Sequence, residues 1–226
     1  MSRFRPIQLT VPLLLLLTLI AVRQVFAHQP WFEDFDFTES QPFLVRDATV
    51  STAIYSMLER NDRDYFQFEA SAGQTVLLEI TIPQITGMEA FDPTMHLFGP
   101  GIAADGYEIP SVPATEFFEP FSRTSYWDRQ EENVTLEEGG TFTVAVSHPA
   151  GERGKYVFVI GTRETGGGDP AFGNKMRAYW TPLQPEPTPA PVEETKSIVE
   201  QTEAEEDISS AETAPPTPQR GLCNRD

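Results

Sequence analysis

Between residues 50 and 162 lie several runs in which apolar side chains recur at every second position, and a period of two restricts such runs to strands with one face turned inward. In residues 64–70 (DYFQFEA), Phe66, Phe68 and Ala70 share one face, while Tyr65, Gln67 and Glu69 share the other. In residues 75–82 (TVLLEITI), the shared face is Val76, Leu78, Ile80 and Ile82; in residues 141–147 it is Phe142, Val144 and Val146. Residues 50–58 are rich in β-formers, 95–98 make a short run that stops at Gly99-Pro100, and 133–136 lead into an acidic Gly-Gly turn. Residues 155–162 (KYVFVIGT) are apolar on both faces, which places that strand in the middle of a sheet. Glycine, aspartate and proline punctuate the runs, and no sustained 3.6-residue period appears. The pattern predicts an all-β fold: an antiparallel, jelly-roll-like β-sandwich of roughly seven to nine strands. Its expected core is Phe66, Phe68, Leu78, Ile80, Leu97, Val144, Val146, Tyr156 and Phe158.

The flanks differ in kind. Arg3 and Arg5 precede an apolar run over residues 11–22, and Val25-Phe26-Ala27 ends in small residues before His28. That is the layout of a secretory signal peptide over 1–27, too short to span a bilayer at ~20 residues. An exported protein, secreted, periplasmic or at the cell surface, is the expectation; the alternative is a membrane tether through an uncleaved signal-anchor. At the other end, residues 183–226 contain no aromatic side chain and are rich in Pro, Glu and Thr, so a disordered acidic tail is expected there. Between the flanks lies the sandwich, 28–182, with a long insertion over 99–131. Residues 169–182 keep Phe172, Tyr179 and Trp180 and should pack back onto it.

The 226-residue chain carries a net charge of −18, and loss of Arg3, Arg5 and Arg23 with the signal makes it −21. Such a surface repels phosphate backbones, which argues against a nucleic-acid partner, and leaves a membrane role only to an uncleaved signal segment. The single cysteine, Cys223, lies in the tail, so the sandwich must be stable without a disulfide.

Three stretches resemble the bacterial pre-peptidase C-terminal (PPC) type of β-sandwich: Asn61-Asp-Arg-Asp-Tyr-Phe-Gln-Phe68 followed by Ala72-Gly-Gln74, then Asp92-Pro-Thr-Met-His-Leu-Phe98, then residues 139–156 ending in Gly-Lys-Tyr. The resemblance covers residues 50–162. It implies a non-catalytic accessory of secreted hydrolases that aids export, folding or attachment to a polymer. This chain departs from the pattern in its insertion and in having no catalytic domain before the module, so the fold and a binding character are what carry over.

Catalytic constellations are hard to assemble. No Gly-x-Ser-x-Gly or His-Glu-x-x-His motif is present, and Ser147 and His148, adjacent on a strand end, point apart. The expectation is an exported, non-enzymatic accessory or binding protein whose partner is an envelope polymer or protein and which needs no cofactor. The aromatic insertion (Phe117, Phe118, Phe121, Tyr126, Trp127) either closes over a sheet or offers Phe118, Tyr126 and Trp127 as a ligand platform. The alternative function is metal binding. Cleavage before His28 would join an α-amine and an imidazole on one residue, a start for a copper site that His96 or His148 would complete, with Glu33, Asp34 and Asp36 as nearby oxygen donors. Asp64 and Asp92 either cap turns or serve as calcium ligands.

Overall fold

The computed structural model describes residues 28–120 and 122–185. The signal segment, the tail from residue 186 onward with Cys223, and Phe121 lie outside the described residues, while Leu183, at the start of the expected tail, packs against the core. Within them, two sheets face each other. The first has six strands in the spatial order β1 (Gln29–Phe32), β3 (Thr52–Leu58), β11 (Gly154–Ile160), β5 (Thr75–Pro83), β9 (Thr124–Thr135) and β8 (Ser111–Glu119). The second has five: β2 (Phe43–Val45), β4 (Arg63–Ala70), β10 (Gly140–Ser147), β6 (Thr94–Phe98) and β7 (Tyr107–Glu108). A short helix, α1 (Phe172–Tyr179), follows the last strand.

The all-β sandwich is as expected, and its pairings are antiparallel except at one edge of each sheet. There β1 runs parallel to β3 and β2 parallel to β4. The chain leaves β1, crosses to the second sheet to form β2, and returns to the first at β3. A connection of this length is what a parallel pair requires.

Alternation places the core where the sequence predicts it. All nine expected residues are buried, and Phe66 of β4 meets Phe158 of β11 across the two sheets at 4.5 Å between ring centroids. Within the second sheet Phe68 stacks on Phe142 at 5.6 Å. Strand β11 is buried along its whole length because it lies between β3 and β5 and has both faces covered. Its inward side chains, Tyr156, Phe158 and Ile160, join the main core. Its outward Val157 and Val159 join Ala53, Tyr55, Phe32, Tyr126 and Met176 in a second cluster, against which Phe172, Tyr179 and Trp180 pack.

Helix α1 is therefore the lid of the second cluster. Phe172, Met176 and Tyr179 stand at the i, i+4, i+7 spacing of one helical face, over a length too short to register as a sustained period. Its C-terminal carbonyls are held by a buried lysine: Lys155 Nζ donates to the carbonyls of Tyr179 and Thr181, both at 2.6 Å. This satisfies acceptors that a helix end leaves open and sets a cation against its negative pole.

The insertion is sheet rather than loop. It supplies β7, β8 and most of β9, and β9 lies along β5 from Thr75↔Thr135 to Pro83↔Tyr126. Its aromatics divide: Tyr126 is buried in the second cluster, Trp127 is half-buried against the main core, and Phe117 and Phe118 stand out at 42% and 55% exposure.

Candidate functional site

The alternation that buries Phe66 and Phe68 also carries Asp64, two positions earlier on β4, onto the inward face, where it is fully buried. A carboxyl in such a place needs partners for both oxygens. Oδ2 has one, the Tyr156 hydroxyl, which donates at 2.5 Å. Oδ1 is buried and has no hydrogen-bond partner in the protein.

Two further carboxylates come from the segment after β1. The Glu33 amide continues the β1–β3 pairing by donating to the Tyr55 carbonyl at 3.0 Å, and its Oε2 accepts the Met57 amide at 2.8 Å. Three residues on, Asp36 is fixed by its neighbour Phe37, which is buried against Phe43 and Phe66 and whose carbonyl accepts the Tyr65 amide at 2.7 Å. One oxygen each from Glu33, Asp36 and Asp64 thus lie within 4.8 Å of one another.

Glu33 and Asp36 line a cavity of about 650 Å³ whose walls also include Phe32, Met57, Asn61, Lys175 and Tyr179, while the fully buried Asp64 is not part of its lining. Lys175 ties α1 to the rim, with Nζ 2.6 Å from both Asp34 Oδ1 and Asp169 Oδ2. The β3–β4 turn closes the other side. Asn61 is in the left-handed region (φ 58°), and its amide donates to the Gly151 carbonyl at 3.0 Å. Gly151, itself at φ +64°, has no room for a side chain, because a Cβ there would meet Asn61 Oδ1 at 2.1 Å.

Burial and mutual repulsion raise all three acids. Desolvation, with Glu33 nearby, pushes Asp64 up to about 8 against the opposing pull of the Tyr156 hydrogen bond. Glu33 rises to about 7, chiefly through desolvation, and Asp36 rises for the same reason with Asp62 adding to it. The cluster stores unfavourable negative charge that either protons or a cation relieve.

The other residues singled out in the sequence lie elsewhere. His28 Nδ1 is 2.5 Å from Ser51 Oγ, and burial lowers the pKa of the ring. His96, on β6, has Nε2 at 3.7 Å from Glu108 Oε2. His148 stacks on Phe91 at 5.1 Å and its Nδ1 accepts the amides of Ala150 and Glu152, each at 3.2 Å. Among the described residues, no histidine belongs to a group of three ligating side chains. Asp92 is exposed in the turn before β6 and outside the cluster. Tyr126 is engaged in packing, edge-on to Trp180 at 5.2 Å, and so does not share a platform with the exposed Phe118.

Among solved structures, the chain is similar to the pre-peptidase C-terminal domain of a collagenase from Bacillus anthracis, at 12% identity and a TM-score of 0.38, over 53% of this chain and 93% of that one. It is also similar to periplasmic inhibitors of g-type lysozyme from Salmonella Typhimurium (17% identity, TM-score 0.35, 54% of this chain and 98% of that one) and Aeromonas hydrophila (14%, 0.36, 61% and 100%). These likenesses concern the fold. No protein-family model matches the chain, and no curated protein does.

Proposed function

We propose that this protein is a non-enzymatic binding module that works outside the cytoplasm and holds a calcium-type cation between Glu33, Asp36 and Asp64. The observation that carries this reading is the orphaned Oδ1 of Asp64, buried beside two other carboxylates with nothing in the protein to satisfy it. The spacing suits the ion. Oxygens that lie within 4.8 Å of one another can share one hard cation such as calcium, whose ligand distances are about 2.3–2.6 Å. An all-oxygen donor set favours a hard cation over copper. The ion would join the segment after β1 to β4 and so fix the rim of the cavity. The ligand of the module is an envelope polymer or protein; the signal-like N-terminus supports the location.

The test is a calcium titration of the chelator-treated full chain by calorimetry, repeated with Asp64→Asn and Glu33→Gln. Saturable binding of one ion by the wild type, weakened at least about tenfold in each variant, is expected, since each loses about 1.4 kcal/mol or more of ion contact. Equal affinity in Asp64→Asn, or none in the wild type, refutes the assignment.

A further inference from the structure

The six-stranded sheet ends in a strand that ordinary edges do not resemble. Natural edge strands are blunted by lysine, proline, bulges or a covering element. The first half of β8 follows that rule, with Pro113 and an irregular register between Ser111 and Thr115. The second half has no proline or bulge and is guarded only by Glu116 and Glu119, which would repel another acidic edge and admit a basic one. Residues 115–119 pair regularly with β9 from Thr115↔Asp128 to Glu119↔Thr124, and no strand lies on their other side among the described residues.

This same half carries Phe117 and Phe118. Neighbouring residues of a strand point to opposite faces. Both rings are exposed, although Tyr126 beside Phe117 is buried, so the open apolar surface lies at the edge strand itself. Phe117 lies opposite Tyr126, and Phe118 lies opposite Ser125. A chain added along this edge would lay its alternate side chains against one phenylalanine on each face while its backbone completed the hydrogen-bond ladder.

Charge selects the occupant. The β8–β9 ribbon and adjoining β5 bear six carboxylates (Glu79, Glu116, Glu119, Asp128, Glu131 and Glu132) against Arg123 and Arg129. Glu79 and Glu131 are direct partners in the register, and like charges so placed repel. Burial, with Asp128 and Glu131 nearby, holds Glu79 up at about 7. An incoming strand beside residues 115–119 would lie about 5 Å from β8 and about 10 Å from β9, which brings Glu116, Glu119 and Asp128 within a Debye length of about 8–10 Å. A second copy of this chain would double the acids along the seam; a basic segment would neutralise them.

We infer that the open edge of β8, flanked by Phe117 and Phe118, docks an extended cationic segment of another protein as a seventh strand of the sheet. The inference goes beyond the cation reading and does not depend on it.

The test uses the full chain and a short peptide of alternating lysine and valine, followed by fluorescence anisotropy with and without calcium. Three controls accompany it: a glutamate–valine counterpart, the lysine peptide with alternate backbone nitrogens methylated, and the double variant Phe117→Ser/Phe118→Ser. The lysine peptide should bind, lose affinity as salt rises, and bind about tenfold or more weakly to the double variant, whose melting temperature should match the wild type. Methylation, which removes ladder donors, and inversion of peptide charge should each abolish binding. No binding by the lysine peptide, equal binding of the methylated peptide, equal binding by the double variant, or dimerisation of the chain through β8 would each overturn it. A chain that binds the peptide but no calcium would keep this inference and sink the cation site; the converse result would do the reverse.

Discussion

Replacing Asp64 by asparagine should make the ion-free protein more stable at neutral pH, which is unusual for a substitution in a core. Asparagine keeps an oxygen for the Tyr156 hydroxyl and cannot ionise. The groups facing Asp64 are the carboxylates of Glu33, Asp36 and Asp62 and the Tyr156 hydroxyl, with Arg60 and Lys175 on the cavity wall. The sign follows from linkage. Asp64 titrates at about 8 in the folded chain against 3.8 without the fold, so between these values the folded state holds a proton that the unfolded state has released. Its contribution to stability is complete below pH 3.8 and is lost as pH rises through about 8. Each pKa unit corresponds to about 1.4 kcal/mol, and roughly three units separate the lower value from neutrality, an upper limit of about 4 kcal/mol. Relaxation and water entry bring the expected gain from Asp64→Asn at pH 7 to about 2–4 kcal/mol, or roughly 5–15 °C in melting temperature for a domain of this size. Urea melts of both proteins in chelator from pH 4 to pH 8 measure it. The stability of the wild type should fall more steeply with pH, and the two should converge near pH 4. Calcium at about a hundred times the wild-type dissociation constant should return about 2.7 kcal/mol to the wild type and about 1.4 kcal/mol or less to the variant. Parallel pH profiles, or a variant less stable than wild type at pH 7 in chelator, would refute the reasoning.

Other perturbations probe other parts of the structure. Tyr156→Phe deprives Asp64 of its remaining partner and should cost about 1–3 kcal/mol while raising the Asp64 pKa further, as carboxyl NMR titration would record. Lys155→Met should free the carbonyls of Tyr179 and Thr181 at a similar cost, about 1–3 kcal/mol, with faster amide exchange across α1 than across β11. Phe66→Ala, at the contact between the sheets, should cost about 3–5 kcal/mol in urea unfolding without changing calcium affinity by more than severalfold.

How much of this is legible in the sequence depends on which force shapes each element. Where a strand buries one face, as in β4, β5 and β10, alternation names the core residues and their partners. The edge strands β1 and β2 are only four and three residues long, too short for alternation to register. Strand β9 hides for a different reason: its inward position 130 is a glutamine whose Nε2 donates to the Ile109 carbonyl at 2.7 Å, and Asp128, Glu131 and Glu132 interrupt any apolar face. Only its end, near Val134 and Leu136, reads as a strand. The candidate site is legible in parts and not as a whole. Glu33 and Asp36 stand out as an acidic segment, and Asp64 as an aspartate ahead of a strand, where turn-capping is the ordinary reading. Extending the Phe66/Phe68 face back by one step puts Asp64 inward, which is the signal that separates a buried carboxyl from a cap.

The cavity and the second hydrophobic cluster share their supports, which bears on how cation binding would be felt. Tyr179 packs edge-on to Tyr55 at 5.2 Å between centroids, and its hydroxyl donates to the Tyr156 carbonyl at 2.7 Å. Phe32, next to Glu33, stacks on Tyr55 at 4.8 Å and meets Phe172 at 6.1 Å. Lys175 holds Asp34, between Glu33 and Asp36. The helix therefore grips the residues that position the carboxylates: Tyr156, which holds Asp64, and residues 32–36, which present Glu33 and Asp36. Without a cation, once Asp64 and Glu33 ionise near pH 7–8, repulsion among the three acids pushes that segment outward, and the contacts opposing it are those of α1. Lys175→Ala removes one such contact while leaving every proposed ligand in place. It should weaken calcium binding severalfold by loosening the segment, since ordering a ligand loop at the moment of binding reduces apparent affinity. It should also raise amide exchange at residues 33–37 in chelator but not in calcium. Unchanged affinity together with unchanged exchange in Lys175→Ala would show that the helix caps the second cluster and has no part in shaping the site.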